Sequence, residues 1–191
     1  HVFDESRHPG VTSVMAPSAI ELRIDVFHNV RWARYKAAVF SELCALADSR
    51  GVSVKIVQIA DTENDRIGLS RVDLRYHQYP HELLFEGAYE AIPKAKLFGR
   101  LVRRVWRSDA SLVVLPGFHR PEYWAMLVAA RLRGLRCAVF CDSTALDNRQ
   151  TLWKSVLKRM FFAQCSAFFC YGSLSRAYLQ MHGAEDKRIF T

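Results

Sequence analysis

The sequence predicts an α/β domain built on a doubly wound, mostly parallel sheet of the Rossmann-like type. Two observations carry this. Short apolar runs, bounded by glycine, proline or polar clusters, alternate with segments of helical periodicity along most of the chain. The runs at 111–115 (SLVVL), 137–141 (CAVFC) and 167–170 (AFFC) are almost continuously apolar, the pattern of strands covered on both faces. Strand–helix alternation implies right-handed parallel crossovers and hence one sheet with helices on both sides. A length of 191 residues suits a single such domain with a sizeable core.

Element by element, residues 1–20 lack periodicity and carry Pro9, Gly10 and Pro17, so they read as a flexible lead-in to a domain at 21–191. Residues 22–27 alternate apolar with polar as the first strand, followed by the loop His28-Asn29-Val30-Arg31. Between 33 and 49, Val39, Phe40, Leu43, Leu46 and Ala47 recur at helical spacing, and Gly51 ends that helix. Residues 52–59 form a second strand, 61–73 are polar and irregular, and 75–79 read as a short third strand. Residues 80–90 read as a loop or loose helix with Leu84 and Phe85 exposed.

Pro93 suits the first turn of a helix reaching about 107. The strand at 111–115 closes on Pro116-Gly117, and a helix that is apolar nearly all round spans 122–133. After the strand at 137–141, Asp147 or Asn148 can cap a helix to about 164. Its expected core stripe is Leu152, Val156, Leu157 and Met160. The strand at 167–170 leads to a helix opened by Ser173 or Ser175 and stopped near Gly183, and 188–191 begin a further element.

Several classes are excluded or disfavoured. No apolar run approaches the roughly 20 residues of a membrane span. The chain opens at His1 without a signal-peptide pattern, which reads as processed or excerpted sequence. Five cysteines without CxxC or Cys/His ligand spacing read as reduced core residues of a cytosolic protein. No GxGxxG, GxxxxGK[ST], GxSxG or DxD-like pair occurs, and Pro80 between His77 and His81 opposes a helical metal pair, so no metal and no bound cofactor is expected. The net charge of +8 attracts anions. Few aromatics interleave with the bases and no nucleic-acid recognition motif appears, so no nucleic-acid partner is expected.

In such a sheet, ligands bind at the carboxyl ends of the strands. The loop after the first strand offers Asn29 and Arg34, with His28 and Arg31, beside a helix N-terminus. It reads as the phosphate side of a cleft or as a solvated loop. After the strand at 137–141, Asp142, Ser143 and Thr144 supply a carboxylate and two hydroxyls able to bind a polyol, or alternatively a turn cap. His119 and Arg149, in loops at the same sheet edge, join them as acceptor-binding candidates. Gly172 permits a tight turn or close backbone approach after the strand at 167–170. Away from the cleft, Lys96, Arg100, Arg103 and Arg107 form one uniformly basic helical stripe. Lys158 and Phe162 read as a base and an exposed aromatic suited to an interfacial membrane contact, with a partner domain as the other reading of Phe162.

The order of these parts resembles the N-terminal, acceptor-side domain of glycosyltransferase family four, one half of the GT-B fold. The residues that carry it lie mainly between 108 and 190. They are DASLVVLPG at 109–117, the helix from Trp124 to the turn at Gly134, Cys141-Asp142-Ser143, Lys158-Arg159, Cys170-Tyr171-Gly172 and Tyr178-Leu179 before Gly183. Arg34-Tyr35, Phe40 and Leu43 are similar to the family's first helix, while His28-Asn29 replaces its common Gly-Gly pair. The resemblance implies an acceptor-binding half of an enzyme that transfers a sugar, with retention and without metal, from a nucleotide sugar to a glycan or lipid-linked acceptor. It places Asp142 as the catalytic candidate. It also implies that the donor binds a C-terminal domain not contained in this chain, that this half alone is inactive, and that the protein is cytoplasmic or peripheral on the inner face of a membrane. The competing reading is a non-catalytic binding module or partner subunit of the same fold.

Overall fold

A computed structural model describes residues 22–69, 72–144 and 152–191; the lead-in, the Asp147/Asn148 cap and Arg149 lie outside them. Seven parallel strands form one sheet in the order β3-β2-β1-β4-β5-β6-β7. They are β1 (Leu22–Val30), β2 (Val52–Ala60), β3 (His81–Leu83), β4 (Leu112–Leu115), β5 (Arg136–Cys141), β6 (Ala167–Cys170) and β7 (Ile189–Phe190). The helices between them are α1 (Arg34–Asp48), α2 (Lys94–Trp106), α3 (Pro121–Leu132), α4 (Leu152–Ala163) and α5 (Ser173–Met181). The chain winds from β1 out to β3, then returns through α2 to place β4 on the other side of β1. The order therefore reverses between β1 and β4, where the loops diverge and leave a crevice.

The two sheet faces are covered unequally. On one, α2, α3, α4 and α5 bury the larger core, which includes Phe27, Leu101, Met126, Val139, Phe161 and Phe168. On the other, α1 is the only α-helix among the described residues, and it buries Ala37 and Phe40, with Cys44 and Ala47 partly covered, in a smaller core with Val26, Ile56, Tyr79, Val114 and Ala138. Because a single narrow seam meets the sheet, Val39, Leu43 and Leu46 face solvent although their spacing is helical.

A polar strut crosses the larger core. Asp25 on β1 is buried, and its carboxylate accepts from Arg104 Nη1 of α2 at 2.8 Å and from Ser108 Oγ at 2.6 Å. Arg104 Nε also donates to Glu82 of β3 at 2.8 Å.

Three sequence expectations are corrected here. The third strand is His81–Leu83, not 75–79. Residues Leu74–Tyr76 turn instead as a short 3-10 helix, with Asp73 accepting from the Arg75 N–H at 3.1 Å, and Pro80 has no N–H to give a ladder. Leu84 and Phe85 pack on the larger core rather than facing water, because their backbone N–H groups follow β2 by bonding to Gln58 and Ile59. Finally, α4 is rotated from its expected orientation. Phe162 is not an exposed interfacial aromatic: it is buried edge-on against Phe118 at 5.0 Å and Phe168 at 5.5 Å. Val156 and Met160, expected inside, are exposed. The helix offers two apolar stripes, and the one carrying Phe161 and Phe162 removes more apolar area from water.

Candidate functional site

The carboxyl ends of β1, β4, β5 and β6 and the first turn of α1 enclose a cavity of about 350 Å³ at the switch point. His28, Asn29, Lys36, Glu63, Arg66, Asp142 and Tyr171 line it, over Pro116 and Phe140.

His28 is the last side chain but two of β1. Its Nδ1 lies 2.9 Å from the Val30 carbonyl oxygen and 3.2 Å from Gln58 Oε1. A carbonyl oxygen only accepts, so Nδ1 carries the hydrogen and Nε2 keeps a free lone pair. Burial, and secondarily the Lys36 charge, pulls the His28 pKa down to about 4. The ring is therefore neutral near pH 7 and acts as a hydrogen-bond acceptor.

Lys36 sits in the first turn of α1, and its ammonium lies 4.1 Å over the Tyr171 ring and 5.9 Å over that of Phe140. It donates to the Tyr171 hydroxyl. Burial lowers its pKa, and the Asp142 carboxylate opposes that shift. The cation is thus held by aromatic faces and a facing negative charge. Asp142, delivered by the end of β5, is exposed, with its carboxylate open to a ligand.

Asn29 is fixed from behind. Its Oδ1 accepts from Tyr123 Oη of α3 at 2.5 Å. The neighbouring Glu122 is buried and accepts from Tyr89 Oη at 2.8 Å, with the Arg120 guanidinium 4.3 Å over the Tyr89 ring. Burial pushes the Tyr123 hydroxyl up to about 12, so it remains a donor at all ordinary pH. Across the mouth, Arg66 pairs with Glu63 at 3.2 Å and lies 4.7 Å over the Trp32 ring.

Of the sequence candidates among the described residues, the structure brings His28, Asn29 and Asp142 into one cavity, while Arg34, Ser143, Thr144, His119 and Gly172 do not line it. Arg34 is exposed and stacks 5.4 Å over Tyr76, away from the cavity. It and Lys36 are two residues apart, roughly 200° around the helix, so only one of them can face the switch point. Ser143 and Thr144 follow Asp142 without lining the cavity, and the Ser143 carbonyl accepts from Cys141 Sγ at 3.9 Å. His119 packs edge-on to Tyr123 at 5.6 Å. Its pKa is lowered by burial and by Arg120, against the opposing charge of Asp142. Gly172 caps α5 at φ 140°, a backbone that favours glycine. Lys158 lies 5.0 Å over Tyr178, and Lys96, Arg100, Arg103 and Arg107 are exposed on α2 or at its end, away from the cavity.

Lys36, Tyr171, Glu63 and Arg66 were not among the site candidates read from the sequence. The signal for Lys36 is its place in the first turn of the helix after β1, which faces the switch point in this topology. For Glu63 and Arg66, in an irregular segment far along the chain, no sequence signal points to the cavity. Among the described residues, no group of three His, Cys, Asp or Glu side chains could hold a metal ion.

No family model matches the chain. No curated protein matches it. Solved structures do. A UDP-N-acetylglucosamine 2-epimerase superposes with a TM-score of 0.59 at 13% identity over 90% of this chain and 48% of its own. The putative UDP-N-acetylglucosamine 2-epimerase of Listeria monocytogenes does so with 0.59 at 10% identity, over 90% and 45%. The UDP-GlcNAc 2-epimerase of Neisseria meningitidis, bound to UDP-GlcNAc, gives 0.55 at 12% identity, over 88% and 45%. The chain thus spans less than half the length of these proteins, and what it shares with them is the fold, a Rossmann-like half of the GT-B architecture.

Proposed function

We propose that this domain is half of a GT-B enzyme acting on nucleotide sugars, and that the cavity between β1 and β5 holds the hydroxyl-bearing part of its substrate. The observation that carries this is the joint placement of Lys36, Tyr171, Asp142 and His28 at the switch point. Asp142 accepts a hydrogen bond from a sugar hydroxyl and orients it, His28 Nε2 accepts a second, and Asn29 is held rigid by Tyr123 to bind a third polar group. Lys36 supplies positive charge and an N–H donor to a phosphoryl oxygen, the role expected of Arg34 from the sequence. In the finer reading, a second domain carries the nucleotide, and the reaction is metal-independent sugar transfer with retention to a glycan or lipid-linked acceptor. Asp142 then acts at the attacking hydroxyl.

Saturation-transfer NMR on this chain with UDP-N-acetylglucosamine, and separately with a neutral oligosaccharide, tests the reading. Saturation is expected on sugar protons, with binding weakened about 10–100-fold in Lys36→Met and in Asp142→Asn, as for loss of a charged hydrogen bond. Thermal unfolding of both variants should match the parent, since both side chains reach the cavity from its rim. A ligand that binds equally well to both variants, or no saturation of any sugar, refutes the site.

A further inference from the structure

We infer that the outer face formed by α2, α3 and α4 is a docking surface for an anionic phospholipid bilayer. These three helices lie side by side on the same side of the sheet, with α3 packed on α2 and Trp124 of α3 at 5.0 Å from Phe161 of α4. Their charge is one-sided. Neither α2 nor α4 contains an acidic residue, and the one acid of α3, Glu122, is buried beneath Tyr89. Lys96, Arg100, Arg103 and Arg107 all face solvent at spacings of four, three and four residues, which places them on one narrow stripe. Arg131 of α3 and Lys154 and Arg159 of α4 add exposed bases.

Beside this charge the same face exposes large apolar side chains. Val128 and Leu132 of α3 are 54% and 73% exposed, and Trp153 and Met160 of α4 are 69% and 57% exposed. On α4, Trp153, Val156 and Met160 share one stripe, directly opposite the buried Phe162. The rotation that takes Phe162 into the core is what turns this stripe outward. Water is a poor environment for such a row, and phosphate groups alone offer it nothing. The boundary between lipid headgroups and acyl chains satisfies both parts: phosphates meet the basic stripe while Trp153, Met160, Leu132 and Val128 enter the apolar layer. A nucleic acid would match the bases but leave the aliphatic Met160, Leu132 and Val128 in water. No helix of the described residues is long and apolar enough to cross a membrane, so the contact is with the surface. The inference stands apart from the sugar reading, and neither outcome below bears on the cavity.

Co-sedimentation with phosphatidylcholine vesicles, with and without phosphatidylglycerol, tests it. Binding is expected only to the anionic vesicles and should weaken steeply with salt. Replacing Lys96, Arg100, Arg103 and Arg107 together by Ser should lower partitioning about 100-fold or more at low salt. The pair Trp153→Ser and Met160→Ser should lower it about 10-fold at every salt concentration, because apolar insertion is not screened. All six positions are exposed, so far-ultraviolet circular dichroism should be unchanged. Failure to bind anionic vesicles, binding that survives both sets of substitutions, or tighter capture by a single-stranded oligonucleotide that displaces the vesicles would overturn it.

Discussion

Arg104→Met is expected to destabilise the domain by about 3–5 kcal/mol, the usual cost of breaking a buried ion pair from one side. Arg104 ties α2 to two strands: it donates to Asp25 on β1 and to Glu82 on β3, both at 2.8 Å. Its side chain is 15% exposed, and that of Asp25 is 7% exposed. Methionine fills the stem volume but leaves the Asp25 carboxylate with only the Ser108 hydroxyl at 2.6 Å. An ionised carboxylate in that position has lost its compensating charge, and the loss is not recovered by packing. Glu82 suffers less, because Lys55 stays within 3.4 Å of it on the solvent side. The double variant Asp25→Asn with Arg104→Met removes both charges and should regain most of the loss. Urea unfolding of the two variants and the parent gives the comparison. A single variant within about 1 kcal/mol of the parent would show that the strut carries little of the stability.

The second expected result is a loss of about 3 kcal/mol of stability between pH 6.5 and pH 4 that belongs to His28 alone. In the folded state burial holds this imidazole neutral down to a pKa of about 4, while the unfolded chain titrates near 6.5. The unfolded state therefore binds the proton first as pH falls. Stability contributed by the neutral ring is complete above pH 6.5 and is lost progressively until the folded ring also protonates near pH 4. His77, His119 and His182 are also held below the ordinary histidine value by burial, so the parent's slope contains their share. His28→Gln isolates the term: glutamine can still donate to the Val30 carbonyl but has nothing to titrate. Unfolding measured from pH 7 to pH 4 should be flatter for the variant by the stated amount. Parallel curves would place the titration elsewhere and remove the argument for a neutral acceptor in the cavity.

Both results concern groups whose residue types are plain in the sequence but whose partners are not. Asp25, Arg104 and Glu82 are scattered over 80 positions of chain, and only the return crossover through α2 brings them together. The same holds for Lys36 and Tyr171, and for Asn29 and Tyr123. By contrast, Asn29 and Asp142 could be chosen as cavity residues beforehand, because each lies at the carboxyl end of a strand legible in the sequence, although β1 continues through Val30 where a loop was expected from His28.

From the order of residues alone follow the α/β class, the parallel winding, most of the elements and the sheet edge at which the cavity lies. These rest on local properties: apolar period, glycine and proline punctuation, and the fixed hand of crossovers. Three matters waited for the packed molecule. One is the start of β3, where the Pro80 ring and the Asp73 turn outweighed a β-rich stretch. Another is which end of the Arg34–Lys36 pair faces the cavity, since both are basic and the helix can seat only one there. The last is the rotation of α4. Its two apolar stripes are equivalent along the chain, and the contacts of Phe161 and Phe162 with Phe118, Trp124 and Phe168 choose between them. Burial energy is summed over neighbours from the whole fold, so periodicity can show that a helix has an apolar side without showing which side it buries.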